Sequence, residues 1–392
     1  MSSNHSPTVR LKYMTFHPAI WPKMVGEVRG NPKPGALVQV LGKQGDPFGV
    51  GFWNPHARLP LRLVHHRPAE APDEAFFPAA IRAAAELRRE ILRLDEDTDT
   101  YRAIHADSDR LPGLVADKFG DVMSLEVTTL AAWQRLDTWL PEIHEAFGTS
   151  RAVIRIDPAL AKIERIPSLV HPLSDPLRKV KVREHGTTFE IDLEAGHKTG
   201  FFCDQRENRR RAAAMARGRR MLDLCCYTGG FSINAARAGA ADVTAVDLDE
   251  QAVSMARRNA NINNVKNSSI HFIHADAFGW ARQMVENQRR WDFVVLDPPK
   301  FITGRDDRLG HNKYHDLNSL ALQLVEPGGL FVTCSCSGRL DAAEFERIVA
   351  GAAHRKDMRL QVLARTGAGP DHPCISNYPE ARYLKVLWCR VM

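Results

Sequence analysis

The sequence predicts an α/β protein. Its larger, C-terminal part reads as a mostly parallel sheet with helices on both faces, preceded by a small β-barrel and a small α+β region. Three observations lead there. From about residue 180, β-rich segments alternate with segments of helical period, the pattern of a parallel sheet with helical crossovers. From about residue 8 to 67, short apolar runs are broken by Gly, Pro and Asp turns, as in "KPGALVQVLGKQGDPFGVGFWNP". At 392 residues the chain exceeds one ordinary domain. The expected division is 8–75, 76–178 and 179–392.

Taken in order, the barrel segment ends at "RPAEAPDEAFFP" (Arg67 to Pro78), whose Pro, Ala and acidic residues read as a linker. Ala79 to Leu94 has apolar residues at helical spacing among strong helix formers. The strand "YRAIH" comes after it. Next comes "LVADKFGDVMSLEV", split by a hairpin turn at Phe119-Gly120-Asp121. A helix is expected over Ala131 to Phe147, then the strand "AVIRI". The turn-rich, acidic stretch "HADSDRLPGLVADKFGD" (His105 to Asp121) reads locally as solvated loops. Prolines punctuate Ile166 to Lys179.

The hairpin "KVREHGTTFEIDL" opens the C-terminal part. The expected strands are "RRMLDLC", "DVTAVDL", "SIHFIHAD", "WDFVVLDPP" and "GGLFVTCS". The expected helices are Phe231–Ala238, Glu250–Asn261, Phe278–Asn287 and Lys313–Leu324. Crossovers in such a sheet are right-handed.

Composition narrows the class. The chain is 44% hydrophobic and 26% charged, which is globular usage. The polar start, Met1 to Pro7, lacks the apolar core of a secretory signal, and no run approaches the roughly 18 apolar residues of a membrane span. A cytoplasmic protein without a membrane partner is expected. A net charge of +6 suits an anionic partner. The arginine-dense run "RENRRRAAAMARGRR" (Arg206 to Arg220) is either the solvated face of a helix or a phosphate-contacting face. The cysteines are Cys203, Cys225, Cys226, Cys334, Cys336, Cys374 and Cys389; their odd number and the lack of paired C-x-x-C motifs imply reduced thiols and no metal site.

Ligands of such a sheet bind outside the carboxyl ends of its strands. The first strand there carries Asp223 and then "CCYTGGFS", where Gly229-Gly230 lets backbone approach a ligand at a helix start. The second ends at Asp247, placed for ribose hydroxyls, with Asp249 better suited to cap the next helix. The third ends at Asp276, which either accepts from an adenine amino group or caps its helix. Acids at three successive strand ends favour an adenosine ligand. A dinucleotide is disfavoured, because Cys226 and Thr228 stand where G-x-G-x-x-G needs glycines. The fourth strand ends in "VLDPPKF", where two prolines stiffen the loop after Asp297. The fifth ends in "LFVTCSCSG", with Cys334 and Cys336 two apart and on one face.

These motifs resemble the class I S-adenosylmethionine-dependent methyltransferases. More narrowly they resemble the large-subunit ribosomal RNA cytosine-5 methyltransferase I family. The resemblance covers nearly the whole chain: a PUA-type barrel around "HPAIW" and "KPGALVQV", "SDRLPGLVADKFGD", "GHKTGFFCDQRENRR", "DLCCYTGGFS", "DPPKF", "TCSCSG" and "NYPEARYLK". It implies S-adenosylmethionine as cofactor and large-subunit (23S) ribosomal RNA as partner. It implies a cofactor site of Gln205, Arg206, Asp223, Tyr227, Thr228, Gly229, Asp247, Asp276 and Asp297, with Arg206 suited to the methionyl carboxylate.

Cytosine C5 is a poor nucleophile, and thiolate attack at C6 activates it. Cys336 is the expected nucleophile, with Asp297 on the cytosine edge; the bland reading of Cys336 is a small buried residue. Cys334 is expected to pack. The cytosine would have to leave its stack. Many RNA cytosine-5 enzymes carry a second cysteine after the prolyl of the fourth-strand motif. Here Pro299 and Lys300 stand there, so the base that removes the C5 proton is unassigned. Two other readings stay open: methylation of a purine exocyclic amine, with Phe301 stacking, and an RNA-binding assembly factor without turnover.

Overall fold

The computed structural model describes residues 6–66, 72–194, 200–266, 268–302, 304 and 307–392. Among these, the chain divides into two compact units. One comprises Met1–Val182, Ile191–Cys203 and Pro370–Ala381; the other comprises Arg183–Glu190, Asp204–Gly369 and Arg382–Met392.

In the first unit, β1 (Thr8–Leu11), β2 (Ala19–Ile20), β3 (Val25–Arg29), β4 (Ala36–Leu41), β5 (Pro47–Trp53) and β6 (Leu61–His65) form a six-stranded sheet in the order β2-β6-β5-β4-β1-β3. Val9, Leu11, Val38, Val40 and Leu61 alternate into its core. The helix α1 (Phe76–Glu86) follows. A four-stranded sheet comes next, β10-β9-β8-β7, built from β7 (Thr100–His105), β8 (Leu114–Phe119), β9 (Val122–Val127) and β10 (Arg151–Arg155). The β8–β9 ladder closes at Phe119↔Val122, leaving Gly120-Asp121 as a two-residue turn with Gly120 at φ 61. Phe52 and Val64 of the first sheet share one core with Phe77, Ile81 and Trp139, and the Phe52 and Phe77 rings stack at 5.4 Å. The barrel segment thus keeps a core of its own around Val9, Val38, Val40 and Leu61, while Phe52 and Val64 extend the core of the α+β region that follows.

Three local expectations are corrected in this unit. The long helix from Ala79 stops at Glu86 and continues as a single wide π turn, Leu87–Ile91. The helix over Ala131 to Phe147 is two helices, α2 (Leu130–Trp133) and α3 (Leu136–Phe147). The stretch His105 to Asp121 is not solvated loop. Asp107, Asp109 and Asp117 are buried, each held by an arginine: Arg62 at 3.0 Å, Arg88 at 2.8 Å and Arg102 at 2.6 Å. Buried carboxylates need such partners. Asp371 reinforces the cluster, accepting from the Arg102 N–H at 2.9 Å. The helix α4 (Pro158–Glu164) was not expected; Asp157 caps it, accepting from the Leu160 N–H at 2.8 Å, and Pro158 opens it.

The hairpin β11 (Lys179–Glu184) and β12 (Thr187–Asp192) leads to the second unit. There α5 (Arg206–Ala216), β13 (Arg220–Leu224), α6 (Gly230–Arg237), β14 (Asp242–Asp247), α7 (Glu250–Ile262), β15 (Ile270–His274), α8 (Ala277–Glu286), β16 (Trp291–Leu296), α9 (Arg308–Gln323), β17 (Val325–Ser335), α10 (Ala342–His354), β18 (Leu360–Thr366) and β19 (Lys385–Val391) build a seven-stranded sheet ordered β15-β14-β13-β16-β17-β19-β18. The first five strands run parallel, and β19 is antiparallel between β17 and β18. Central strands read as continuous apolar runs because both faces are covered, as at Phe293, Val294, Val295 and Leu296, all fully buried. The strand order reverses at β13, so the crevice beyond β13, β14 and β16 is the place for a ligand. Among the described residues, no helix is long and apolar enough to cross a membrane.

Candidate active site

Asp223, fully buried in β13, accepts hydrogen bonds from the N–H of Ser232 at 3.1 Å and from its hydroxyl. Burial pushes its pKa up to about 7; the Ser232 bonds work against this and the nearby Asp247 charge adds to it. Its Oδ1 is buried with no partner among the described residues. The loop after β13 holds three left-handed residues in five: Cys225 (φ 66), Tyr227 (φ 49) and Gly229 (φ 84). That conformation costs a non-glycine residue about 1–2 kcal/mol. The loop is held by bonds from the Cys225 and Cys226 N–H groups to the Val246 carbonyl, at 2.9 and 3.1 Å. At Gly229 the positive φ favours glycine, and a Cβ would also press on the tip of the Ile233 side chain at 2.9 Å.

Asp247, at the end of β14, accepts from the Tyr227 N–H at 2.7 Å and from the Asp249 N–H at 2.9 Å. It therefore ties the strained loop to the start of α7. Asp249 caps α7, as its position suggested. Asp276 is exposed and caps α8, accepting from the Gly279 N–H at 2.8 Å. Thr228 is buried in the loop, and its carbonyl accepts from Asn259 at 3.4 Å. The thiol of Cys225 is raised well above its ordinary range by burial and then by Asp247, Asp297, Asp223 and Asp276. Of the four acids singled out at strand ends, Asp247 bonds this loop directly and the other three act on its Cys225 thiol through their charge.

Asp297 follows β16 and is partly exposed. Gln205 donates to its Oδ2 at 3.0 Å. Desolvation, then the charges of Asp204 and Asp223, raise its pKa to about 7. Gln205 is itself fixed, accepting from Asn208 at 2.7 Å. Arg206, the first residue of α5, is fully buried, with its Nε 3.3 Å from Glu207.

The arginine-rich run does not form one basic face. Arg206 and Arg209 are buried, Arg209 against the equally buried Glu184 at 2.5 Å. Arg220 is engaged by Asp292 and Glu326, both at 3.1 Å, and begins β13, at the strand end opposite the site. The segment 195–199, which includes the Gly196 to Thr199 part of the resemblance, lies outside the described residues.

Cys334, inside β17, is fully buried, and burial holds its thiol well above the ordinary range. Cys336, one residue past the strand, is partly exposed. Between and beyond them Ser335 and Ser337 turn to the other side. Ser335 donates to the Tyr314 hydroxyl at 3.0 Å, and the Tyr314 and Ser337 hydroxyls lie 2.9 Å apart. This hydroxyl chain, which the sequence reading missed, fixes the loop carrying Cys336; the serines alternating with the two cysteines were its signal. Phe301 packs edge-on to Tyr314, their ring centres 5.0 Å apart. Among the described residues, no group of His, Cys, Asp or Glu could hold a metal ion.

Residues 158–388 match the S-adenosylmethionine-dependent methyltransferase family, and residues 9–66 match a PUA-like domain. Curated relatives named ribosomal RNA large subunit methyltransferase I include those of Shewanella frigidimarina, 34% identical over 379 residues, and Photobacterium profundum, 33% over 379. Each alignment spans 96% of this chain and 95% of the relative. The chain belongs to the ribosomal RNA large subunit methyltransferase I family. Its fold is shared by a methyltransferase solved with S-adenosylhomocysteine, with a TM-score of 0.82 at 18% identity over 98% of this chain and 99% of that one. It is also shared by a protein from Streptococcus mutans described as a SAM-dependent methyltransferase, with a TM-score of 0.80 at 18% identity over the same shares.

This family member is S-adenosylmethionine-dependent, and the residues fit that cofactor. The buried Oδ1 of Asp223 is an acceptor awaiting a donor, and Asp247 places a carboxylate at the second strand end. The strained loop between them opens a helix N-terminus.

Proposed function

We propose that this enzyme forms 5-methylcytidine in large-subunit ribosomal RNA, with Cys336 as the nucleophile and Asp297 on the base. The observation that carries the reading is the pairing of neighbouring strands β16 and β17, Leu296↔Thr333. It sets Asp297 and the Cys336 loop at adjoining strand ends. The names of the curated relatives support the RNA substrate.

Bound S-adenosylmethionine would supply an electrophilic methyl group. Asp247 would take the ribose hydroxyls, and Asp276 would offer its remaining carboxylate capacity to the adenine amino group. Arg206 would answer the methionyl carboxylate, and Asp223, Tyr227, Thr228 and Gly229 would line the loop beneath. Gln205 would hold Asp297 in place. The Cys336 thiolate adds to C6 of an extruded cytosine, forming an S–C6 bond and moving the C5–C6 electron pair toward N3. Asp297, titrating near neutrality, keeps a carboxyl proton available for N3. C5 is then nucleophilic; once it is methylated, transfer of its proton to a base re-forms the C5–C6 double bond as the C6–S bond breaks and the thiolate leaves. Residues 8–75 would dock RNA, 76–178 would support them, and 179–392 would carry the chemistry, in the cytoplasm where ribosomes are built.

Nucleoside analysis of ribosomal RNA treated with enzyme and cofactor tests the reading. It should yield 5-methylcytidine. A methylated purine amine would replace it with the other chemistry, and no modified nucleoside would leave an RNA-binding factor.

A further inference from the structure

We propose that Lys385 is the counter-ion that holds Cys336 as a thiolate, a positioning residue for the nucleophile. The inference rests on the assignment of Cys336 as the nucleophile. Lys385 opens β19, whose one other charged residue, Arg390, is exposed near the far end, and pairs in register with Ser335 of β17, next to Cys336. It closes the "NYPEARYLK" motif, none of which the proposed chemistry uses. Only 7% of Lys385 is exposed. Its ammonium donates to the Ser337 carbonyl at 2.5 Å and the Tyr383 carbonyl at 2.8 Å. Those bonds clamp it against the loop that carries the thiol. Among the described residues no carboxylate lies within ion-pair distance of it.

A buried ammonium without a counter-ion is costly, and a nearby thiolate is the group that would offset that cost. The electrostatics agree. Burial lowers the Lys385 pKa to about 8, while Cys336 and then Asp341, at the start of α10, work to keep it charged. Tyr314 of α9, hydrogen-bonded to Ser335 and Ser337, and Cys334 of β17 are the other titratable groups near Cys336; burial raises both pKa values and keeps both neutral near pH 7. Lys385 is thus a positive charge bonded to the carbonyl of the residue that follows the nucleophile. When the thiolate becomes a neutral thioether on C6, the ammonium loses its partner. This favours return of the thiolate at the end of turnover.

The test is the pH dependence of Cys336 alkylation by iodoacetamide in the full-length protein, read by peptide mass spectrometry. The wild-type thiol should titrate at least about one unit below the ordinary 8.5. Lys385→Met should slow its alkylation about tenfold at neutral pH, one unit of pKa. Lys385→Arg should restore most of it. Methyl transfer by Lys385→Met should recover as pH rises, with the KM for S-adenosylmethionine unchanged; a purely structural defect would persist at every pH. An unshifted Cys336 titration in a folded Lys385→Met protein overturns the proposal. If that variant does not fold, a wild-type titration at or above about 8.5 overturns it equally. Alkylation needs neither RNA nor turnover, so the nucleophile assignment fails separately, if Cys336→Ala still methylates.

Discussion

Asp247→Asn probes the cofactor site through a change of one atom. The carboxylate accepts two backbone N–H bonds, from Tyr227 at 2.7 Å and Asp249 at 2.9 Å. Hydrogen bonds to a charged group contribute about 1.5–3 kcal/mol each. Asparagine keeps one acceptor oxygen and turns an amide donor toward the other N–H, so one bond is lost and Tyr227, at φ 49, loses part of its tether. Folding stability should fall by about 1.5–3 kcal/mol. Loss of one or two bonds to the ribose hydroxyls, at the same value each, weakens cofactor binding by roughly tenfold for one bond at the low end to about ten-thousandfold for two at the high end. Calorimetric titration with S-adenosylmethionine reads the second effect and thermal unfolding the first. Asp249→Ala is the control: loss of the α7 cap costs about 1 kcal/mol of stability and leaves affinity near wild type. Unchanged affinity in a folded Asp247→Asn protein would refute the ribose assignment.

Other consequences come from the same geometry. Arg209→Met leaves Glu184 buried and unpaired, so stability should drop by about 3–5 kcal/mol in chemical denaturation; a drop below about 1 kcal/mol would mean the pair is solvated. Asp223 and Asp297 both titrate near 7 when folded, above their unfolded range. Their contribution to cofactor-free stability is therefore full at acidic pH and is lost as pH rises from about 4 through about 7. Asp297→Asn should flatten that part of the stability–pH curve, and an unaltered slope would contradict the raised pKa. Lys12 and Lys23 are exposed on the barrel segment, so Lys12→Glu with Lys23→Glu should weaken RNA binding and reduce the slope of log affinity against log salt by about 0.7 per lost contact. Cofactor affinity should not change, and an unchanged slope would remove this face from the RNA interface.

How much the sequence disclosed depends on the range of the interactions involved. Strands β13 to β17 were legible because each is an apolar run closed by an acid or a turn, and the helices between them begin at Asp249, Asp276 and similar caps. Local polarity misled between His105 and Asp121. The partner of Asp109 is Arg88, 21 positions away, and Arg102 is bound by Asp371, 269 positions away. The same blindness made one basic face of Arg206 to Arg220, two of whose arginines are buried. The linker after the barrel made residues 8–75 read as a domain of their own, whose deletion would be the obvious test of RNA docking. Phe52 and Val64, however, belong to one core with Phe77, Ile81 and Trp139, so surface charge reversal is the sounder test. Lys385 carried a faint signal, a single cation heading the apolar run "KVLWC".

The central claim is that Cys336 bonds covalently to the target cytosine. Ribosomal RNA carrying 5-fluorocytidine tests it most directly, because fluorine at C5 cannot leave as a proton and the thiolate cannot be expelled after methyl transfer. The account predicts a denaturant-resistant protein–RNA adduct that requires S-adenosylmethionine, is absent in Cys336→Ala and persists in Cys334→Ala. Trapping that survives in Cys336→Ala and vanishes in Cys334→Ala would move the role to the buried thiol. Absence of any adduct, with methyl transfer continuing in the double variant, would contradict the covalent account.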